Sequence, residues 1–286
     1  ARAARLRAGI GRGDGLMRTI VHVSDLHFGR IDPGLLRPLL DAVVAAQPDV
    51  VAVSGDLTQR ARRSQFRDAR AFLEYLPKPQ VVVPGNHDVP LYDVVRRFVS
   101  PLGRYRRYIT DDLAPFYLDD EIAVVGLNTA RSLTFKNGRV NREQVDLVAS
   151  RLSGLDPAIT RVVVTHHPFD LPPEGGEESD VLGRAAMAMA AFAECGVDLL
   201  LSGHLHRSHA ASSATRYRID GYAALVVQAG TASSTRGRGE ANAFNVIRIA
   251  PGDISIGTRT WDPGTGAFVE SAPRRFRRGA GGWEAA

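Results

Sequence analysis

The chain is poor in several things that would each set a function class. It has one cysteine, Cys195, in 286 residues. A lone cysteine forms no internal disulfide and no thiolate metal cage, which agrees with a reducing compartment and makes the cytoplasm the expected location. It sits in "AAFAECGVD" and reads as helix-end packing rather than a nucleophile. Apolar runs long enough to cross a bilayer are absent. The opening "ARAARLRAGIGRGDGLMRTI" is basic but lacks the apolar segment of a secretory signal. Aromatic residues are only 7% of the chain, and no internal repeat or nucleic-acid module is visible. A specific nucleic-acid partner is therefore not expected.

What is present fits a large folded body. Apolar residues make up 44% and charged residues 23%, which excludes a disordered chain. Residues 1–16 read as a non-native or disordered extension, because Met17 opens "MRTIVHVSDLH" just ahead of a strand. Residues 17–270 read as one domain, and 271–286, with "PRRFRR", as a basic flexible tail. The net charge of +5 favours anionic partners. The basic ends and the Tyr/Arg segment "GRYRRY" suit contact with a membrane surface or lipid headgroups. The sequence leaves the oligomeric state open.

Strand and helix alternate through the first two-thirds. "TIVHVSD", "DVVAVSGD", "PQVVVPGNHD", "EIAVVGLN", "TRVVVTHHP" and "VDLLLSGH" read as strands. Between them, "PGLLRPLLDAVVAAQP" and "SQFRDARAFLEYLP" carry apolar residues at helical spacing, with Leu36, Leu39, Leu40, Val43 and Val44 on one side of the first. "NREQVDLVASRL" opens on an Asn141–Gln144 capping box, and "GRAAMAMAAFAECG" closes on Gly196. Nearly all-apolar strands between helices mean βαβ units buried on both faces: an α/β fold. After His209 the helices stop, and "GYAALVVQAG", "NAFNVIRIA" and "DISIGTRTW" add strands. "LPPEGGEESD" reads as an exposed loop.

The chemistry lies where the strands end. Five of them deliver Asp25 and His27, then Asp56, then Asn86, His87 and Asp88, then His166 and His167, then His204 and His206. Any one of these alone reads as a buried core histidine or a capping aspartate, as His22 does inside the first strand. Together they crowd costly polar groups at one sheet edge, where open α/β sheets bind ligands. A metal centre satisfies them. Asp25/His27 and His204/His206 are two apart and point the same way in extended chain, so each pair can grip one object. Carboxylate, imidazole and carboxamide without thiolate disfavour a structural zinc or iron–sulfur site. The donors are too many for one ion. Two divalent ions offset by Asp25 and Asp56 keep a net positive charge that attracts a phosphate.

In this order, "DLH", "GDLT", "GNHD", "THHP" and "GHLH" resemble the five blocks of the calcineurin-like metallophosphoesterases, across roughly Arg18 to Trp261. Within that family, "GLNTARS", "GRVNREQ" and the segment from Gln228 to Ile249 are similar to bacterial cyclic-nucleotide and glycerophosphodiester phosphodiesterases. The resemblance implies a four-layer α/β/β/α sandwich of two mixed sheets. It also implies two divalent ions, manganese or iron foremost, with zinc or magnesium as alternatives. One ion would take Asp25, His27, Asp56 and His206, the other Asp56, Asn86, His166 and His204. Hydrolysis of a small phosphodiester is the expected reaction. The alternatives are cleavage of a nucleotide–lipid pyrophosphate or of a monoester, then nuclease action or a non-catalytic scaffold. His87 would protonate the leaving group and Asp88 would orient His87. His167 would shape the substrate mouth. Arg60 and Arg236 are the arginines placed to hold substrate oxygens.

Overall fold

A computed structural model describes residues 17–173, 175–236 and 239–286. The extension expected over residues 1–16 lies outside the described residues. The elements run β1 (Arg18–Val23), α1 (Pro33–Ala45), β2 (Val50–Val53), α2 (Arg63–Tyr75), β3 (Gln80–Val82), α3 (Val94–Val99) and α4 (Gly103–Tyr108). They continue as β4 (Phe116–Leu118), β5 (Ile122–Gly126), α5 (Arg142–Leu152), β6 (Thr160–Val164), α6 (Ala185–Glu194), β7 (Leu199–Ser202), β8 (His209–Ser212) and β9 (Leu225–Gln228). The C-terminal part is all strand: β10 (Ala243–Ala250), β11 (Asp253–Asp262), β12 (Ala267–Glu270), β13 (Arg274–Gly279) and β14 (Gly282–Ala285).

Two mixed sheets result. One has the order β14-β13-β11-β10-β1-β2-β3, with β12 also on β11; the other is β4-β5-β6-β7-β9-β8. Within the first, β1, β2 and β3 are parallel and β10 runs antiparallel to β1. The all-apolar strands follow from burial on both faces. Ile20, Val50, Ala52 and Val81 of one sheet pack against Val124, Val162, Leu199 and Leu201 of the other, forming the central core. Alternate residues of the first sheet, such as Val21, Val51 and Val53, pack outward on α1 and α2. Those of the second, such as Val125, Val163 and Leu200, pack on α5 and α6. Four layers follow, α/β/β/α, as the motifs implied.

Local chemistry sets the helix ends. The Asp32 carboxylate accepts from the Gly34 N–H at 2.9 Å and Pro33 occupies the first turn of α1. Asn141 and Gln144 exchange hydrogen bonds at the start of α5, as the capping box required. Phe66, Ala69, Phe72 and Leu73 of α2 are buried as their spacing requires, and Gly196 leaves α6 with φ +66°. Val44 of α1 faces solvent, and Leu35 packs inward beside Leu39 and Val43. Cys195 is buried and hydrophobically packed; burial pushes its thiol up to about 11. No helix among the described residues is long and apolar enough to cross a membrane.

The segment 271–286 corrects the reading of a flexible tail. Arg274–Gly279 pairs with β11 and Gly282–Ala285 with β13. Phe276 and Trp283 enter the central core, while the four arginines flanking Phe276 stay exposed. Trp283 Nε1 donates to Asp198 Oδ1 at 2.9 Å, and Arg278 pairs with the same carboxylate.

Candidate metal centre

The loops after β1, β2, β3, β6 and β7 meet at one edge of the sandwich, and the chain enters them by leaving extended geometry. Asp25, His27, Asp56, His204 and His206 all have left-handed φ, between +50° and +74°. Eight non-glycine residues among those described do so, and five stand here. Each such residue costs about 1–3 kcal/mol, and it persists where surrounding structure enforces it. The loops brace one another through Asp25 N–H to Gly55 O at 3.1 Å and His27 N–H to Asp56 O at 2.9 Å. Gly55 (φ +93°) and Gly85 allow this approach, since a Cβ on Gly85 would sit 2.1 Å from Asp56 Oδ1.

Two groups of donors result, split between the oxygens of one carboxylate. Asp25 Oδ1 lies 3.4 Å from His27 Nε2 and 3.2 Å from His206 Nε2. His27 Nε2 lies 3.2 Å from His206 Nε2 and 3.6 Å from Asp56 Oδ2. On the other side, His166 Nε2 lies 3.4 Å from Asp56 Oδ1, 3.0 Å from Asn86 Oδ1 and 3.3 Å from His204 Nδ1. His204 Nδ1 is 3.1 Å from Asn86 Oδ1. Donor atoms around an ion with bonds of about 2.1 Å stand about 3.0–3.4 Å apart, whether tetrahedral or octahedral. Apart from the 3.6 Å between His27 Nε2 and Asp56 Oδ2, the distances in both groups match that spacing, so these residues could hold two ions.

The hydrogen bonds behind the donors give an independent test of fit. His166 Nδ1 donates to the Ser54 carbonyl at 2.8 Å, so in the neutral ring Nε2 is a bare lone pair. That lone pair faces two oxygen acceptors, which only a cation or a proton reconciles. Asp25 Oδ2 accepts from Ser24 Oγ at 2.7 Å and His204 N–H at 3.0 Å, while Oδ1 is buried with no hydrogen-bond partner among the described residues. Burial opposes the charge on Asp25 and Asp56, yet the facing histidines hold both carboxyls well below their ordinary range. For His166, burial opposes charge and Asp56 favours it, raising the ring to about 9.

The other expected residues divide. His87 lines a cavity of about 220 Å³ over the centre, along with Arg60 and Arg236. Its Nδ1 donates to Gln59 O at 2.9 Å, its Nε2 accepts from Arg236 Nη1 at 2.9 Å, and its backbone N–H holds Asp56 Oδ1 at 2.8 Å. The Arg60 guanidinium lies over the Tyr92 ring at 5.3 Å.

Asp88 does not orient His87. Its carboxylate takes the N–H groups of Leu57, Thr58 and Gly85 and the Thr58 hydroxyl, within 2.9–3.1 Å, tying the loop after β3 to the loop after β2. Burial and the nearby Asp56 push it up to about 7. Gln59 O does the orienting instead.

His167 is not at a substrate mouth. It is fully buried, with Nδ1 2.8 Å from Thr129 Oγ1 and Nε2 2.8 Å from Lys136 O. Its ring backs those of His166 and His204, with centroids at 4.9 and 4.7 Å. His22 is a core residue bonded to Ser54 Oγ at 2.9 Å, and His209 begins β8.

Two residues were missed. Lys136 lines the cavity and its ammonium meets Asp180 at 2.5 Å. Asp180 lies in the segment expected to be an exposed loop, but it is buried and faces His204 Nε2 at 3.7 Å. His204 and Lys136 hold its carboxyl below the ordinary range. One signal was readable: the chain has only two lysines, Lys78 and Lys136.

A two-sheet sandwich with a carboxylate-shared histidine cluster at its strand ends defines a metal-dependent phosphoester hydrolase. The calcineurin-like phosphoesterase family model matches residues 18–208, and the chain belongs to that family. It is 26% identical over 214 residues to a probable cyclic nucleotide phosphodiesterase of Synechococcus, covering 68% of this chain and 76% of that protein. It is 28% identical over 169 residues to the glycerophosphodiester phosphodiesterase GpdQ of Enterobacter lignolyticus, covering 53% and 58%. In fold it is similar to PhoD (TM-score 0.68, 11% identity, 96% of this chain and 72% of that one). The purple acid phosphatase PPD1 of yellow lupin gives the same TM-score at 13% identity, over 91% of this chain and 54% of that one.

Proposed function

We propose that this phosphoesterase is a phosphodiesterase acting on a small phosphodiester, of the cyclic-nucleotide or glycerophosphodiester kind. The observation that carries the reading is the division of Asp56, whose two oxygens face separate histidine sets. Asp25, His27, Asp56 and His206 would hold one divalent ion, and Asp56, Asn86, His166 and His204 the other. Manganese or iron suits this nitrogen and oxygen set, with zinc or magnesium as alternatives. Such a pair supplies a nucleophile from water at neutral pH and offsets charge on the phosphoryl oxygens.

The chain's own residues do the rest. Arg60, Lys136 and Arg236 surround the cavity and supply donors to the remaining phosphate oxygens. His87 is the residue placed to protonate the departing alkoxide from Nε2, and Gln59 O keeps that nitrogen aimed into the cavity. Arg236 must first release Nε2 and that nitrogen must take up a proton from solvent, because a ring whose one N–H is spent on Gln59 O offers only a lone pair there. The named activities of the two curated relatives support a diester over a monoester. A reducing compartment rests on Cys195 alone. The test is turnover of bis-p-nitrophenyl phosphate against p-nitrophenyl phosphate with added manganese. The diester should be preferred; a faster monoester contradicts the reading.

A further inference from the structure

Exposed large apolar side chains are not spread over this protein. Tyr92, Val94, Val95, Phe98 and Val99 lie in or just before α3, and Leu133 and Phe135 lie in the segment that packs beside it. All seven are between 55% and 82% exposed. They account for most of the exposed large hydrophobics among the described residues. On a helix, Val94 and Phe98 stand one turn apart, as do Val95 and Val99, so the four make a single outward stripe.

The stripe belongs to a fixed platform. Arg97, on the opposite side of α3, is buried. Its guanidinium donates to the carbonyls of Pro90 at 2.9 Å, Ser132 at 2.7 Å and Thr134 at 2.5 Å, and lies over the Phe135 ring at 4.5 Å. One arginine thereby ties α3 to the 132–135 segment. The platform also opens directly onto the metal centre: Leu91 and Phe135 line the same cavity as His87, Asn86 and His204.

Its charge is one-sided. From Val89 to Ile109 the chain carries four arginines besides the buried Arg97, against one acidic residue, Asp93. Arg96 and Arg104 share Asp93. Behind the end of α3, a cleft of about 460 Å³ is lined by Arg106 and Arg131 with no carboxylate. Apolar side chains standing out from a basic surround are what an anionic lipid surface binds. A second copy of the chain would set this cationic surround against itself. The cavity over the centre has room for a phosphoester headgroup and leaves any apolar remainder outside, on the platform.

We infer that α3 and the 131–135 segment dock the protein on an anionic lipid surface, so that the phosphodiester enters the site from that surface. The identity of the bond cleaved rests on the phosphodiesterase reading above; the docking does not. The test uses the manganese-loaded full chain, floated with vesicles of phosphatidylcholine alone or mixed with phosphatidylglycerol. Hydrolysis of soluble bis-p-nitrophenyl phosphate is measured beside it. Wild type should float with the mixed vesicles and not with phosphatidylcholine. The double substitution Val95→Glu, Phe98→Glu should cut binding at least about tenfold and leave the soluble reaction unchanged. Wild type that fails to float, or a variant that floats equally well, overturns the docking. So does a solution dimer that the variant dissociates, because the face is then covered by a second copy. Wild type that floats but cannot hydrolyse the soluble diester upholds the docking and overturns the phosphodiesterase reading.

Discussion

Replacing His87 with alanine separates the proposed acid from the metal-binding residues, because its backbone and its ring make separate contacts. The backbone N–H holds Asp56 Oδ1 at 2.8 Å and survives the substitution. Only the imidazole is lost, with Nδ1 anchored on Gln59 O and Nε2 at the cavity. General acid catalysis contributes about 10²–10⁴ in rate, which is about 2.7–5.4 kcal/mol of barrier. That contribution applies only where the leaving group needs a proton. Nitrophenolate departs as a stable anion, and an alkoxide does not. His87→Ala should therefore keep its full metal content and turn over bis-p-nitrophenyl phosphate within about tenfold of wild type. On an alkyl phosphodiester it should lose the larger factor, and the limb of the pH–rate profile that reports the acid should disappear. Equal losses on both esters would mean that His87 positions substrate. No loss on the alkyl ester would refute the acid role outright.

Two further predictions concern stability. Trp283→Ala removes a side chain from the central core and the donor to Asp198, so it should cost about 3–5 kcal/mol in urea unfolding; no change would mean that the last strand is not part of the fold. His22 is held down to about 3 by burial, so the unfolded chain takes up its proton below about pH 6.5 while the folded chain does not. Stability should thus fall by about 1.4 kcal/mol per pH unit from this group as pH drops from 6.5 toward 3. His22→Gln should flatten the unfolding curve by that slope, and an unchanged slope would refute the assignment.

What was legible in the sequence followed periodicity. The parallel strands are buried on both faces, so each is a nearly unbroken apolar run, and the residues that end them are conspicuous by contrast. That contrast picked out Asp25, Asp56 and His204 without any pairing information. It could not separate neighbours such as His166 and His167: one aims at the centre and the other backs it, a distinction set by the hydrogen bonds to Ser54 and Thr129. Nor was the geometry legible. Left-handed residues at the strand ends, rather than continued extension, send His204 and His206 to different donor groups. β13 was hidden because "RRFRRG" reads as a charge run, and a single inward Phe276 gives too little alternation to mark a strand. Lys136 and Asp180 are 44 residues apart in numbering and become partners only through the fold.

On the phosphodiesterase reading, two cations share Asp56. Metal-free protein titrated with manganese, with bound metal counted by elemental analysis as turnover of bis-p-nitrophenyl phosphate is followed, tests it most directly. Two ions per chain should bind, full turnover should require the second, and Asp56→Asn should lose both binding and turnover. Full turnover with a single ion, or with none, would contradict the account.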